Sequence, residues 1–222
     1  MTDPTRVPPR EPTSVHLLLW EGVELLDFAG PGQVFAAAGK GRAFRVRTVA
    51  AHLGPLRSQG FLTIHPELLL QEAPPAGILV VPGGSADRPM ADPVLMNALR
   101  DAAPRAQVVF SVCTGARVLA AAGLLEGHTA TTWHGALDQL GAEAPGTRVV
   151  SGVRWVDNGR IVTAAGVSAG IDAALHLVKR WLGPKEASRI DRRASSLARV
   201  VWPMNCLSSM FRRTSASRGF MR

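Results

Sequence analysis

Cysteine is scarce in this chain: Cys113 and Cys206 are the only two in 222 residues. Two cysteines cannot build a disulfide framework, and the expected setting is therefore reducing and cytoplasmic. No apolar run reaches the roughly 18 residues that span a bilayer, which argues against membrane insertion. The first residues, MTDPTRVPPREPTS, are polar and proline-rich. They lack the apolar stretch of a signal peptide, and residues 1–13 are expected to form a disordered leader. No GxGxxG or GxxxxGK[ST] loop occurs, so dinucleotide and Walker-type phosphate binding have no sequence support. No internal repeat of fixed period is present.

What remains is the composition of a globular protein, 46% hydrophobic and long enough for one sizeable core. The formal net charge of +8 points at first to nucleic acid. Its distribution does not: residues 184–222 hold nine Lys and Arg against Glu186 and Asp191, leaving about +1 for the rest. Nucleic-acid contact is thus expected, if anywhere, only through the basic tail, whose plainer role is a solvated extension. That tail is expected to begin as a helix, over residues 185–200, and to end without order.

The chain is organised around residues 108–123, VVFSVCTGARVLAAAG. Apolar residues 108–110 form a short buried strand, and residues 117–122 continue as a small-residue helix, with Cys113, Thr114 and Gly115 making the turn. This is the pattern of a nucleophile elbow, in which the apex residue is strained and exposed. The apex is Cys113. A helix starting just behind it is expected to favour the thiolate. The competing assignment is a small buried core cysteine.

Short apolar strands alternate with helices along the rest of the chain, which predicts an α/β fold with a largely parallel sheet. Residues 14–20 (SVHLLLW) form the first strand, and Gly30-Pro31-Gly32 open the helix behind it. Asp27 lies between them, either as a helix-start carboxylate or as a catalytic one at the mouth of the sheet. Residues 77–81 (GILVV) end in Pro82-Gly83-Gly84-Ser85, where backbone N–H groups could line an oxyanion hole or simply make a tight turn. Trp133-His134 opens a further helix, with His134 either facing solvent or returning towards Cys113. Residues 147–164 read as one hairpin around Asp157-Asn158-Gly159, and residues 171–182 as an amphipathic helix in which Asp172 and His176 pack or cap. His52 and His65 read as surface residues.

Four segments in order, LLDFAGPGQVF, VVPGGS, SVCTGARVLAAAGLLEGHTATTWHGALDQL and GVSAGIDAALHLV, together resemble the ThiJ/PfpI superfamily over residues 15–182. Within it they are most similar to the branch holding isonitrile hydratases and the sensor domains of AraC-type regulators. The resemblance implies a flavodoxin-like three-layer α/β sandwich with a strand, nucleophile elbow and helix at its centre, usually as a homodimer. It places Cys113 as nucleophile with Asp27 as its acidic partner, the two sharing a proton. It puts backbone groups of Gly84 and Thr114 around the developing negative charge and the Thr114 hydroxyl near the substrate; with Gly83 and His134 these make the expected oxyanion and substrate-binding set.

The implied activity is hydration or hydrolysis of a small molecule, most like the addition of water to an isonitrile to give an N-substituted formamide, with no metal or organic cofactor. The alternative is a non-enzymatic ligand- or redox-sensing module. Several departures narrow the resemblance. Thr114 stands where related proteases carry a histidine, and residues 166–170 lack the His-Pro-Glu segment of amidotransferases, so peptidase and glutaminase activity are not implied. Relatives often read Thr-His-Trp where this chain has Trp133-His134. The tail after residue 190 is also too short for the paired helix-turn-helix motifs of an AraC-type regulator.

Overall fold

A computed structural model describes residues 11–201, apart from the side chains of residues 193–201. The strands are β1 (Thr13–Leu19), β2 (Phe44–Ala50), β3 (Leu56–Arg57), β4 (Thr63–Ile64), β5 (Leu68–Leu69), β6 (Ile78–Val81), β7 (Val108–Val112), β8 (Thr129–Ala130), β9 (Arg148–Val149), β10 (Trp155–Asp157) and β11 (Ile161–Ala164). The helices are α1 (Leu25–Ala37), α2 (Asp87–Ala91), α3 (Pro93–Ala102), α4 (Gly115–Ala121), α5 (Leu137–Glu143), α6 (Val167–Leu182) and α7 (Pro184–Val201).

Seven strands make the central sheet in the order β10-β11-β7-β6-β1-β2-β5, parallel throughout except for the antiparallel edge strand β10. Strands β6, β7 and β11 are buried along their whole length, which is why they read as unbroken apolar runs and not as alternating ones. The chain leaves β1 towards β2, then crosses back to place β6 on the other side of β1. Right-handed crossovers in opposite directions put their helices on opposite faces, giving the three layers of an α/β sandwich. On one face α1 packs against α6, and α6 against α7. Gly30 makes the first contact possible, since a side chain there would stand 2.8 Å from Ile171 Cγ1. Likewise Gly170 lets α6 sit on the sheet, where a Cβ would meet Val112 at 2.7 Å.

Three expectations are corrected. The first helix opens at Leu25, six residues ahead of Pro31, which stands inside it. Proline removes one intrahelical bond there, but burial of Phe28, Val34 and Phe35 along the helix outweighs the break signal. Asp27 is therefore in the first helical turn and not in a loop. Residues 147–164 are not one hairpin: only β10 and β11 pair antiparallel, while β9 pairs parallel with β8. Trp133-His134 leads into a 3-10 turn, His134–Ala136, before α5 begins at Leu137.

Thr13, placed in the expected leader, opens β1, and residues 1–10 lie outside the described residues. The helix foreseen after Gly183 is α7, and it is anchored on the domain: Glu186 accepts from Gly39 N–H at 2.7 Å, Arg189 donates to Ala37 O at 2.8 Å, and Ile190 is buried. Residues 202–222, where the tail was expected to lose order, lie outside the described residues. Asp172 pairs with Arg154, and His176 meets Asp157 at 2.6 Å, so both hold the edge of the sheet as packing residues do. Among the described residues no helix is long and apolar enough to cross a membrane.

Candidate active site at the Cys113 elbow

Parallel strands deliver their carboxyl ends to one rim of the sheet, and ligands collect where the strand order reverses. Here β1, β6 and β7 lie side by side, and the segments that leave them carry Asp27, in the first turn of α1, Gly83-Gly84 and Cys113. Cys113 adopts φ 56°, and among the described non-glycine residues only Lys40 shares a positive φ. An L-residue in this region costs on the order of 1–3 kcal/mol, so it persists only where its surroundings hold it. Both of its backbone groups are held. Its N–H donates to Ala164 O at 2.9 Å, and its carbonyl accepts the Thr132 hydroxyl at 2.7 Å. Thr132 is buried, and nothing in its local sequence marks it as a support of the apex.

Asp27 and Cys113 flank one point. A side chain on Gly83 would stand 2.7 Å from Asp27 Oδ2, 2.8 Å from Cys113 Cβ and 2.8 Å from Thr114 N. Gly83 is thus glycine because the carboxylate and the elbow close over it. Asp27 is fully buried, and its Oδ2 accepts the Gly83 N–H at 3.0 Å. Its Oδ1 is buried without a hydrogen-bond partner among the described residues. The Gly84 N–H donates to Thr114 Oγ1 at 3.0 Å, and that hydroxyl lies 3.1 Å from Gly84 O. Both glycine amides proposed from the sequence for an oxyanion hole are therefore already engaged with protein groups. The amide that meets the sulfur is that of Thr114.

Electrostatics at this pair is ruled by burial. Lost hydration raises the Asp27 carboxyl to about 7, the Gly83 N–H and the Cys113 thiol pulling it back and the charge of Glu24 pushing it further. Burial likewise raises the Cys113 thiol to about 12, with the Asp27 charge adding to the rise and the Thr114 N–H opposing it. The expectation of a helix-stabilised thiolate is corrected by this. Helix α4 spans only seven residues, and one turn of partial charge does not offset the lost solvation. Burial and the Asp27 charge thus both favour the protonated sulfur, and the raised carboxyl beside it is poised to exchange a proton.

The raised carboxyl has a stability consequence. A buried acid favoured in its neutral form stabilises the fold below its unfolded value of 3.8, and that contribution is lost as pH rises through about 7. Asp27→Asn, which keeps an acceptor for the Gly83 N–H, is therefore expected to gain on the parent by up to about 4 kcal/mol between pH 4 and 8.5. Thermal denaturation of both proteins across that range tests it. A gap that stays constant with pH rules out a raised Asp27.

His134 is exposed and stands outside this set of contacts, its ring 5.1 Å from that of Trp133. It does line, with Trp133, Thr132, Val153 and Ala165, a cleft of about 510 Å³ beside the elbow. Two of these walls reach Cys113 through the backbone: Thr132 by its hydrogen bond, and Ala165 as the residue after Ala164. Trp133 and Val153 are 44% and 41% exposed, so the cleft presents apolar surface. Among the described residues no cluster of three or more His, Cys, Asp or Glu side chains could hold a metal ion.

The DJ-1/PfpI family profile matches residues 13–180, which takes in every element of the central sheet and the whole elbow. The chain belongs to the DJ-1/PfpI family. Isonitrile hydratase of Pseudomonas putida is 36% identical over 181 residues, covering 80% of this chain and 75% of that protein. The transcriptional regulator CdhR of Pseudomonas aeruginosa is 27% identical over 78% of this chain, which spans about half (52%) of that regulator. Among solved structures, a ThiJ/PfpI family protein from Pseudomonas syringae superimposes with a TM-score of 0.76 at 26% identity, covering 91% of this chain and 83% of its own.

Proposed function

We propose that this DJ-1/PfpI family member is a cysteine-dependent hydratase of small molecules, acting on isonitriles to give N-substituted formamides. The observation that carries this is the pairing of an apex cysteine in strained backbone with a fully buried carboxylate whose proton exchanges near neutrality. The 36% identity to an isonitrile hydratase supports the choice of substrate.

In this scheme the Cys113 thiol gives its proton to the Asp27 carboxylate as the sulfur attacks the terminal isonitrile carbon. Asp27 then passes that proton to the same carbon, leaving a thioimidate, R–N=CH–S–Cys. Water adds to this carbon as Asp27 takes one of its protons and returns it to the nitrogen. The C–S bond breaks, the hydroxyl proton passes to sulfur, and R–NH–CHO leaves with the thiol and carboxylate restored. A raised Asp27 suits both halves, because a group near 7 gives and takes a proton at comparable cost. The Thr114 N–H beside the sulfur steadies charge there, and the apolar wall of Trp133 and Val153 receives the substituent R.

The test is turnover of a panel of alkyl and aryl isonitriles, followed by formamide formation from pH 5 to 9. The expected profile rises through about pH 7 as Asp27 loses its proton, then stays level, since the thiol remains protonated until about 12. No formamide from any member of the panel ends the substrate assignment. A second reading, a ligand-sensing module without catalysis, is favoured by the identity to the regulator CdhR. It is supported instead if isonitriles are inert while small molecules shift the melting temperature.

A further inference from the structure

Arg117 stands out on α4. It lies between Ala116 and Val118, both fully buried, and its own side chain is only 7% exposed. A charge so placed must be paired, because leaving it unmatched away from water is costly. Its Nε donates to Glu143 Oε2 at 2.9 Å and its Nη2 to Glu143 Oε1 at 2.7 Å, a two-pronged fork. The same Nη2 reaches Asp87 Oδ1 at 2.9 Å. The Asp87 side chain is 83% exposed and Glu143 33%, so the fork to Glu143 is the stronger arm.

The partners matter by position. Asp87 is the first residue of α2, which follows the Gly83-Gly84 loop. Glu143 is the last residue of α5, which follows the segment carrying Thr132 and His134. Arg117 itself is four residues beyond Cys113, its N–H bonded to Thr114 O at 3.0 Å. One guanidinium therefore ties together three segments that each begin at the candidate active site.

We propose that Arg117 is a positioning residue, holding α4 to α5 and α2 so that the Cys113 sulfur stays seated beside Asp27. This rests on the assignment of Cys113 as the reacting group. A planar fork fixes direction as well as distance, which a lysine does not reproduce. With the fork gone, α4 gains freedom, water reaches the sulfur, and alignment with Asp27 loosens.

The experiment uses the full chain in a Cys206→Ser background, so that Cys113 is the one thiol read. Arg117→Met keeps an apolar stem of similar length, and its orphaned partners are exposed enough to be solvated. Arg117→Lys keeps the charge without the fork. Iodoacetamide alkylation against pH, formamide turnover and thermal denaturation are measured on each. Both variants are expected to alkylate about threefold faster or more at pH 8, with the midpoint of the pH profile lowered. Formamide kcat falls by about tenfold while KM moves little. Simple destabilisation speeds alkylation only in step with the fall in melting temperature and leaves kcat unchanged in protein still folded at the assay temperature, so a lowered kcat below the melting range marks displacement of the elbow.

Alkylation profiles that superimpose on the parent's overturn the proposal, even if the melting temperature drops, and leave Arg117 a structural brace. Should Arg117→Met not fold, Glu143→Gln takes out one arm of the fork and is expected to shift the thiol profile the same way by less; no shift again overturns the proposal. If the parent makes no formamide, the hydratase assignment fails alone, and the alkylation profiles still decide the role of Arg117.

Discussion

Cys113→Ala is expected to cut formamide formation by about 10³-fold or more, to the level of the uncatalysed reaction, while the protein keeps its fold. The loss is large because the proposed chemistry passes through a bond to sulfur, and nothing else at the rim replaces it. Asp27 without the thiol can polarise water, but it has no covalent intermediate to offer that water. The fold survives because alanine faces the same positive-φ strain as cysteine, and the bonds that hold the apex are to its backbone. Cys113→Ser tests the same point without loss of volume, since a hydroxyl is a far weaker acid and nucleophile than a thiol. Mass spectrometry of the parent with a slow aryl isonitrile should show the added mass of the thioimidate, and neither variant should show it. Retention of more than about a tenth of parent activity by Cys113→Ala would sink the covalent scheme.

The elbow was legible in the sequence because each part of it is local. A run of apolar residues, a tight turn and a chain of small helical residues leave few structures for residues 108–123, and β7 and α4 fall there. The parallel sheet followed from the same logic, as wholly apolar strands too short for helices must be buried on both faces. What sequence could not supply was the solvation of the site. The thiolate expectation weighed the visible helix against nothing, whereas burial of Cys113 and Asp27 depends on how β1, β6 and β7 close around them. The glycine amides failed in the same way: Gly83 and Gly84 are at the site, but which groups their N–H bonds serve depends on residues 56 and 30 positions away. Asp27 was misplaced by a local rule, since Pro31 announces a helix start that tertiary burial moves to Leu25. Thr132 and Arg117 carried no local signal. Each acts through a partner from another segment.

Gly115 gives the sharpest structural prediction. It is the first residue of α4, and a side chain there would be driven into the carbonyl oxygens of Val81 and Pro82 at the end of β6. Neither oxygen belongs to a flexible side chain that can swing aside. Val81 is fully buried and paired in register with Ser111 of β7, and Pro82 leads directly into the Gly83-Gly84 turn. Relief therefore requires the elbow and the end of β6 to separate, which also parts Gly83 from Asp27 and Cys113. Gly115→Ala is expected to cost about 3–5 kcal/mol, in the range of severe core overpacking. That is a fall of roughly 10 °C or more in melting temperature for a domain of this size. Gly141, in the interior of α5, is the matching control, because a Cβ there meets nothing within 4 Å. Gly141→Ala is expected to stabilise by about 0.5–1 kcal/mol, since alanine loses less backbone entropy in a helix. The same chemical change thus has opposite signs at two helical positions. If Gly115→Ala melts within a degree or two of the parent, the close approach of α4 to β6 is not what seats the cysteine, and the geometry that carries the proposed chemistry fails with it.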